Sequence, residues 1–239
     1  MGRGELAEEN IKKSLGLRCG NPKEITKRAK AFAMWSEAPM PMVTLFKTLD
    51  VTNVVRISRK TGYGFNLMMC FAVGKAAAAG EDFYLLPAGN RMLQYEKIAV
   101  NTIIETEDGE IAACDIPFSD DAEDFAENYL CLTEQVRKTG QEYAAGEDYM
   151  VIGTSALAQY EIDGAVNLYA GIYNNPFLIW GRYRKKMFRA KLPVSFQFHH
   201  AQMDGIPAAQ FLERLQKELD SLNAAAFGGK RKGMSCKSR

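Results

Sequence analysis

The chain has 239 residues, with 30 lysines and arginines against 29 aspartates and glutamates, for a net charge of +1. Hydrophobic residues make up 47% and charged residues 25%, which is ordinary usage for a globular protein long enough to bury a substantial core. Nothing in that balance calls for a nucleic-acid or membrane partner, and no run of 18 apolar residues marks a transmembrane helix.

The opening Met1-Gly2-Arg3-Gly4-Glu5-Leu6 has no signal-peptide core, so a cytoplasmic protein is expected. Five cysteines (Cys19, Cys70, Cys114, Cys131 and Cys236) are an odd number and widely spaced. They point to reduced thiols rather than a disulfide framework. No CxxC pair occurs, and the only two histidines are adjacent, so no metal site is expected.

Along the chain, residues 1–22 read as a polar N-terminal extension with a short helix around Glu8 to Leu17. Lys23 to Ser36 reads as a helix ending before Pro39, and Met42 to Val51 as a strand. Gly64 to Ala79 is almost wholly apolar, which marks a helix buried on all sides. Lys97 to Thr106 and Ile111 to Ile116 flank Glu107-Asp108-Gly109-Glu110, a hairpin signal. Ser119, Asp120, Asp121, Glu123 and Asp124 supply an N-cap and an acidic first turn for a helix reaching about Lys138. Strands are expected again at Val166 to Tyr173, Phe177 to Arg182 and Met187 to His200. Residues 228–239 read as a disordered basic tail. Helices mixed with hairpins favour one α+β domain over residues 23–227, a large mixed sheet covered by helices in a two-layer sandwich. Neither G-x-G-x-x-G nor G-x-x-x-x-G-K-[ST] occurs, which removes dinucleotide and P-loop functions.

The two histidines close the most informative segment, Val194-Ser195-Phe196-Gln197-Phe198-His199-His200-Ala201-Gln202-Met203-Asp204-Gly205. It reads H-x-x-x-D-G from His200. Any imidazole acid–base chemistry near neutral pH must come from this pair. The alternation up to His200 is that of a half-buried strand. It puts His200 on the apolar face with Val194, Phe196 and Phe198, and His199 on the polar face with Ser195 and Gln197. Burial disfavours imidazolium, so His200 is expected to be the neutral, buried partner and the better base. Pro207 then opens a helix whose stripe is Ala208, Phe211, Leu212, Leu215, Leu219 and Leu222.

With His200 and Asp204 placed, the chain resembles the chloramphenicol acetyltransferase family. Leu192 to Gly205, with Phe211-Leu212-x-x-Leu215-Gln216, resembles that family's C-terminal signature. Pro176 and Gly181-Arg182-Tyr183 resemble its Gly-Lys-Tyr region, and Lys27-Arg28-Ala29-Lys30-Ala31-Phe32 its first helix, in matching order from about residue 24 to residue 222. The resemblance implies direct acetyl transfer from acetyl-CoA to a hydroxyl of a small molecule, in a homotrimer with active sites at subunit boundaries. His200 would be the general base. Asp204 and Arg28 would pair to support the catalytic turn, Arg182 and Tyr183 would contact the coenzyme, and no metal would take part.

Two departures stand out. The family serine that supports the oxyanion falls at Gly164, or at Ile162 without a gap, so Thr154, Ser155, Tyr160 or a water would have to substitute. The acceptor-pocket segment also differs. It supplies Trp35, Met40 and Met42, with Pro41 near an expected cysteine, which argues against chloramphenicol and for an apolar or aromatic alcohol. Acyltransferase cores of 2-oxo acid dehydrogenase complexes share the motif. A different acyl group, a thiol or amine acceptor, or a degenerate relative that binds ligand without turnover therefore remain alternatives.

Overall fold

A computed structural model describes residues 18–167 and 173–227. The helix around Glu8 to Leu17, most of the strand Val166 to Tyr173, and the basic tail lie outside the described residues.

The strands in chain order are β1 (Arg18–Gly20), β2 (Met42–Asp50), β3 (Leu85–Ala88), β4 (Arg91–Gln94), β5 (Lys97–Glu105), β6 (Ile111–Pro117), β7 (Tyr149–Leu157), β8 (Phe177–Gly181), β9 (Arg184–Lys186) and β10 (Arg189–His199). The α-helices are α1 (Pro22–Ile25), α2 (Ala29–Trp35), α3 (Thr52–Thr61), α4 (Phe65–Ala78), α5 (Ala122–Thr139) and α6 (Gly205–Ser221). The main sheet runs β2-β10-β8-β7-β5-β6, with β9 paired to the start of β10. β7 is parallel to both β5 and β8, and the other pairings are antiparallel. Helices α3 to α6 pack against this sheet and one another. The fold is the expected mixed sheet covered by helices. A second, three-stranded sheet, β1-β4-β3, draws its first strand from the residues read as an extension.

Local chemistry accounts for most elements. Ten residues of α4 are buried, among them Leu67, Met68, Phe71 and Val73, as its uniform hydrophobicity requires. In α6 the buried residues are Ala208, Phe211, Leu212, Leu215 and Leu219, the expected stripe short of Leu222. Phe211 meets Phe83 and Phe196 with ring centroids 4.6 Å apart in both pairs. Emptying such a position typically costs about 3–5 kcal/mol. The Asp121 carboxylate accepts from Glu123 and Asp124 backbone N–H and caps α5. Gly109, at φ 85°, makes the β5–β6 turn.

Three expectations need correction. The single helix over Lys23 to Ser36 is two short ones, because Thr26 is extended and its hydroxyl accepts from Arg28 N–H at 3.1 Å. The strand over Met187 to His200 begins at Arg189, behind a separate β9. Cys131 is disulfide-bonded, whereas Cys19, Cys70 and Cys114 are free thiols.

Candidate active site

β10 is paired on both edges, by β2 and β8, and both of its faces are covered as well. Phe196 and Phe198 point into the main core. Ser195 and Gln197 are buried on the opposite face, where they accept from Ala165 N–H at 2.8 Å and Asn167 N–H at 3.1 Å. The reading of one buried and one polar face therefore fails at the histidines. His199 is 2% exposed, while the His200 side chain is 23% exposed. Burial, with a lesser contribution from neighbouring His200, pushes the His199 imidazole down to about 4. Its Nδ1 accepts from Ala201 N–H at 3.0 Å, as a neutral ring does. Burial thus holds the His199 ring neutral.

His200 steps off the strand into the turn before α6, and four contacts hold it there. Its backbone N–H donates to Pro41 C=O at 2.8 Å. Trp35, at the end of α2, lies flat on the imidazole, with centroids 4.3 Å apart and planes 5° from parallel. Arg28, just before α2, donates from Nε to Asp204 Oδ2 at 3.0 Å and from Nη2 to Asp204 Oδ1, the fork of a bidentate pair. The same guanidinium donates to the carbonyls of His200 at 3.0 Å and Ala201 at 3.4 Å. One side chain thus clasps the turn at three residues. Asp204 occupies the N-cap position of α6 but makes no side-chain cap bond there, since its carboxylate faces Arg28 instead. His200 Nδ1 sits 3.3 Å from Asp204 Oδ1, yet forms no hydrogen bond and is buried.

A small apolar cluster of Phe32, Leu85, Met92 and Ala201, with Ile25 and Trp35 against it, fastens α2 to the turn. It also explains why the break at Thr26 matters: Arg28 approaches Asp204 from a loop and Trp35 approaches His200 from a helix. Gln202 is a residue that pattern reading missed. It is fully buried, and its amide donates to Leu85 C=O at 2.6 Å and Asp82 C=O at 3.1 Å. The available signal was a glutamine between two apolar motif residues.

The remaining expected residues divide. Met42 pairs with His199 across β2 and β10, and Trp35 touches His200, but the Met40 side chain is 61% exposed. Arg182 and Tyr183 follow β8 and precede β9, which pairs with Arg189 to Lys191. They therefore lie at the far end of β10, roughly 30 Å from His200 at the usual strand rise. Arg182 is 3.5 Å from Glu161. The Tyr183 ring leans on Phe65 at 5.2 Å, with Lys185 Nζ 5.6 Å over it. At Gly164 a Cβ would come within 2.5 Å of the Phe46 ring and 3.1 Å of Ser195 Oγ. Thr154 is buried with its hydroxyl on Asn101 C=O at 2.7 Å, and Tyr160 is 66% exposed.

Residues 24–216 match the family model described as chloramphenicol acetyltransferase. The chain belongs to the chloramphenicol acetyltransferase family. Chloramphenicol acetyltransferase 3 of Escherichia coli is 24% identical over 185 residues, 74% of this chain and 85% of that protein. Chloramphenicol acetyltransferase 2 of the same organism is 25% identical over 201 residues, 82% and 93% of the two chains. A solved chloramphenicol acetyltransferase superposes with a TM-score of 0.73 at 20% identity, over 81% of this chain and 95% of that one. A probable dihydrolipoamide acetyltransferase from Listeria monocytogenes gives 0.64 at 14% identity, over 89% and 96%. Membership in the chloramphenicol acetyltransferase family makes the protein an acyltransferase. The clasped turn presents one imidazole, flat against an aromatic wall, with its Nδ1 enclosed.

Proposed function

We propose that the protein transfers acetyl from acetyl-CoA directly to a hydroxyl of a small-molecule acceptor, with His200 as general base. Nδ1 is enclosed, which leaves Nε2 to accept the hydroxyl proton. As that proton leaves, the acceptor oxygen attacks the thioester carbonyl, and collapse of the tetrahedral adduct expels the coenzyme thiolate. The imidazolium returns its proton to the thiolate, so no acyl-enzyme forms. A positioned base of this kind is worth about 10²–10⁴ in rate.

The observation that carries the reading is the Trp35–His200–Arg28–Asp204 assembly, which fixes one half-exposed imidazole by ring, backbone and turn together. Asp204 and Arg28 act by positioning. Trp35 and Met42 flank the histidines as the apolar wall of an acceptor pocket, with Met40 at its rim. Arg182, exposed and loosely held, suits a coenzyme phosphate, and Tyr183 an adenine ring. Their distance from His200 in the same chain fits a site completed by a second copy, hence a homotrimer with active sites at its boundaries. The working place is the cytoplasm.

The decisive experiment follows thiol release from acetyl-CoA with a panel of alcohols, thiols and amines. Transfer to an alcohol that falls at least about 10²-fold in His200→Ala, with coenzyme binding retained, is expected. No turnover with any acceptor would make the protein a ligand-binding relative. Equal losses in folded His199→Ala and His200→Ala would remove the base assignment.

A further inference from the structure

The turn between β9 and β10 departs from ordinary surface chemistry in two ways. Met187 holds a left-handed backbone at φ 54°, where glycine or asparagine is the usual occupant. Met187 and Phe188 are also 89% and 92% exposed, more than any other large hydrophobic residue described. Single apolar residues on a surface are ordinary, but an adjacent pair held out on an unfavourable turn is not.

Beside this tip lies a groove of about 550 Å³ between the hairpin and α3, lined by Arg56, Arg59, Lys60, Lys185 and Arg189 and by no acidic residue. Arg56, Arg59 and Lys60 stand at helical spacing that puts them on one face of α3. Arg189 is 3.6 Å from Asp50. The other four have no carboxylate partner among the described residues, whereas nearby Arg184 and Lys191 are each paired to an aspartate. Like charges gathered this way repel one another and favour an anionic partner.

We propose that this surface docks the protein on a membrane rich in anionic phospholipid. Met187 and Phe188 enter the interfacial layer while the five cations meet headgroup phosphates. A soluble nucleotide would use the cations but leave the projecting Met187–Phe188 pair in water. A lipid surface uses both. This revises the expectation drawn from net charge, because +1 is an average over the chain and conceals a field assembled from two segments more than a hundred residues apart. The inference does not depend on the transfer chemistry.

Co-sedimentation with phosphatidylcholine vesicles, with and without about one-quarter phosphatidylglycerol, tests it. Partitioning at least about tenfold stronger onto the anionic vesicles is expected, weakening steeply between low and physiological salt. R56E/R59E and M187S/F188S should each lose most of it while keeping the wild-type melting temperature and turnover of soluble substrates. Equal binding to both vesicle types, no binding, or unaltered binding by M187S/F188S would overturn the proposal. So would tight binding of adenosine 3′,5′-bisphosphate that R56E/R59E abolishes in a protein that ignores vesicles.

Discussion

The indole of Trp35 and the imidazole of His200 are stacked 4.3 Å apart and within 5° of parallel, so a residue 165 positions earlier sets the plane of the only half-exposed histidine. Such ring pairs contribute about 0.5–1.5 kcal/mol beyond their buried area. Trp35→Ala is therefore expected to lower kcat by roughly 2- to 12-fold, with Trp35→Phe recovering most of it. If Trp35 shapes only the acceptor pocket, KM for the acceptor will rise with kcat unchanged, and steady-state kinetics on both variants separates the two roles.

Arg28 does more than pair with Asp204. Its side chain is 17% exposed and that of Asp204 is 50%, so the pair lies between the buried case, where losing one partner costs about 3–5 kcal/mol, and the surface case, near 0–1 kcal/mol. Asp204→Asn should cost about 1–2 kcal/mol by that interpolation. Arg28→Ala should cost more, because the carbonyls of His200 and Ala201 also lose a donor. Denaturant unfolding of the two single variants and the double variant measures both costs and their coupling. Equal costs for the singles would show that the carbonyl contacts contribute nothing.

His199 makes stability depend on acid. Its folded-state value is about 4 against the ordinary 6.5. The unfolded chain therefore takes up the proton first as pH falls, and the contribution present above about pH 6.5 is lost on the way to pH 4. At 1.36 kcal/mol per unit this amounts to about 3 kcal/mol. His199→Asn, whose Oδ1 can still accept from Ala201 N–H, should flatten the decline in melting temperature between pH 7 and pH 4. A decline identical to wild type would place the acid sensitivity elsewhere.

The proposed acceptor wall of Trp35 and Met42 is apolar, and Pro39 and Pro41 fix the backbone between them. Apolar or aromatic alcohols are the expected acceptors, with chloramphenicol a poor one. A chloramphenicol kcat/KM above about 10⁴ M⁻¹s⁻¹, the range of good enzyme–substrate pairs, would contradict this.

Periodicity and turn chemistry made α4, the β5–β6 hairpin, α5 and α6 legible in the sequence, because each depends on neighbours within a few residues. The H-x-x-x-D-G spacing likewise singled out His200 and Asp204, and the family resemblance added Arg28. Helix α3, the short strands β3 and β4, and the nine-residue β7 were not marked. What local pattern could not decide was coverage. β10 is buried on both faces because the main core packs on one and the 164–167 segment crosses the other, so alternation stopped reporting exposure and the buried histidine is His199 rather than His200. Nor could it show that Trp35 would lie on His200, that Gln202 would anchor the turn to Leu85 and Asp82, or that cations near residues 56 and 185 would share one groove. The sequence by itself determined which residues are proposed for the chemistry and where the backbone turns. Only the tertiary structure decided which faces lose water and which distant charges meet, since both depend on contacts between segments that no local spacing encodes.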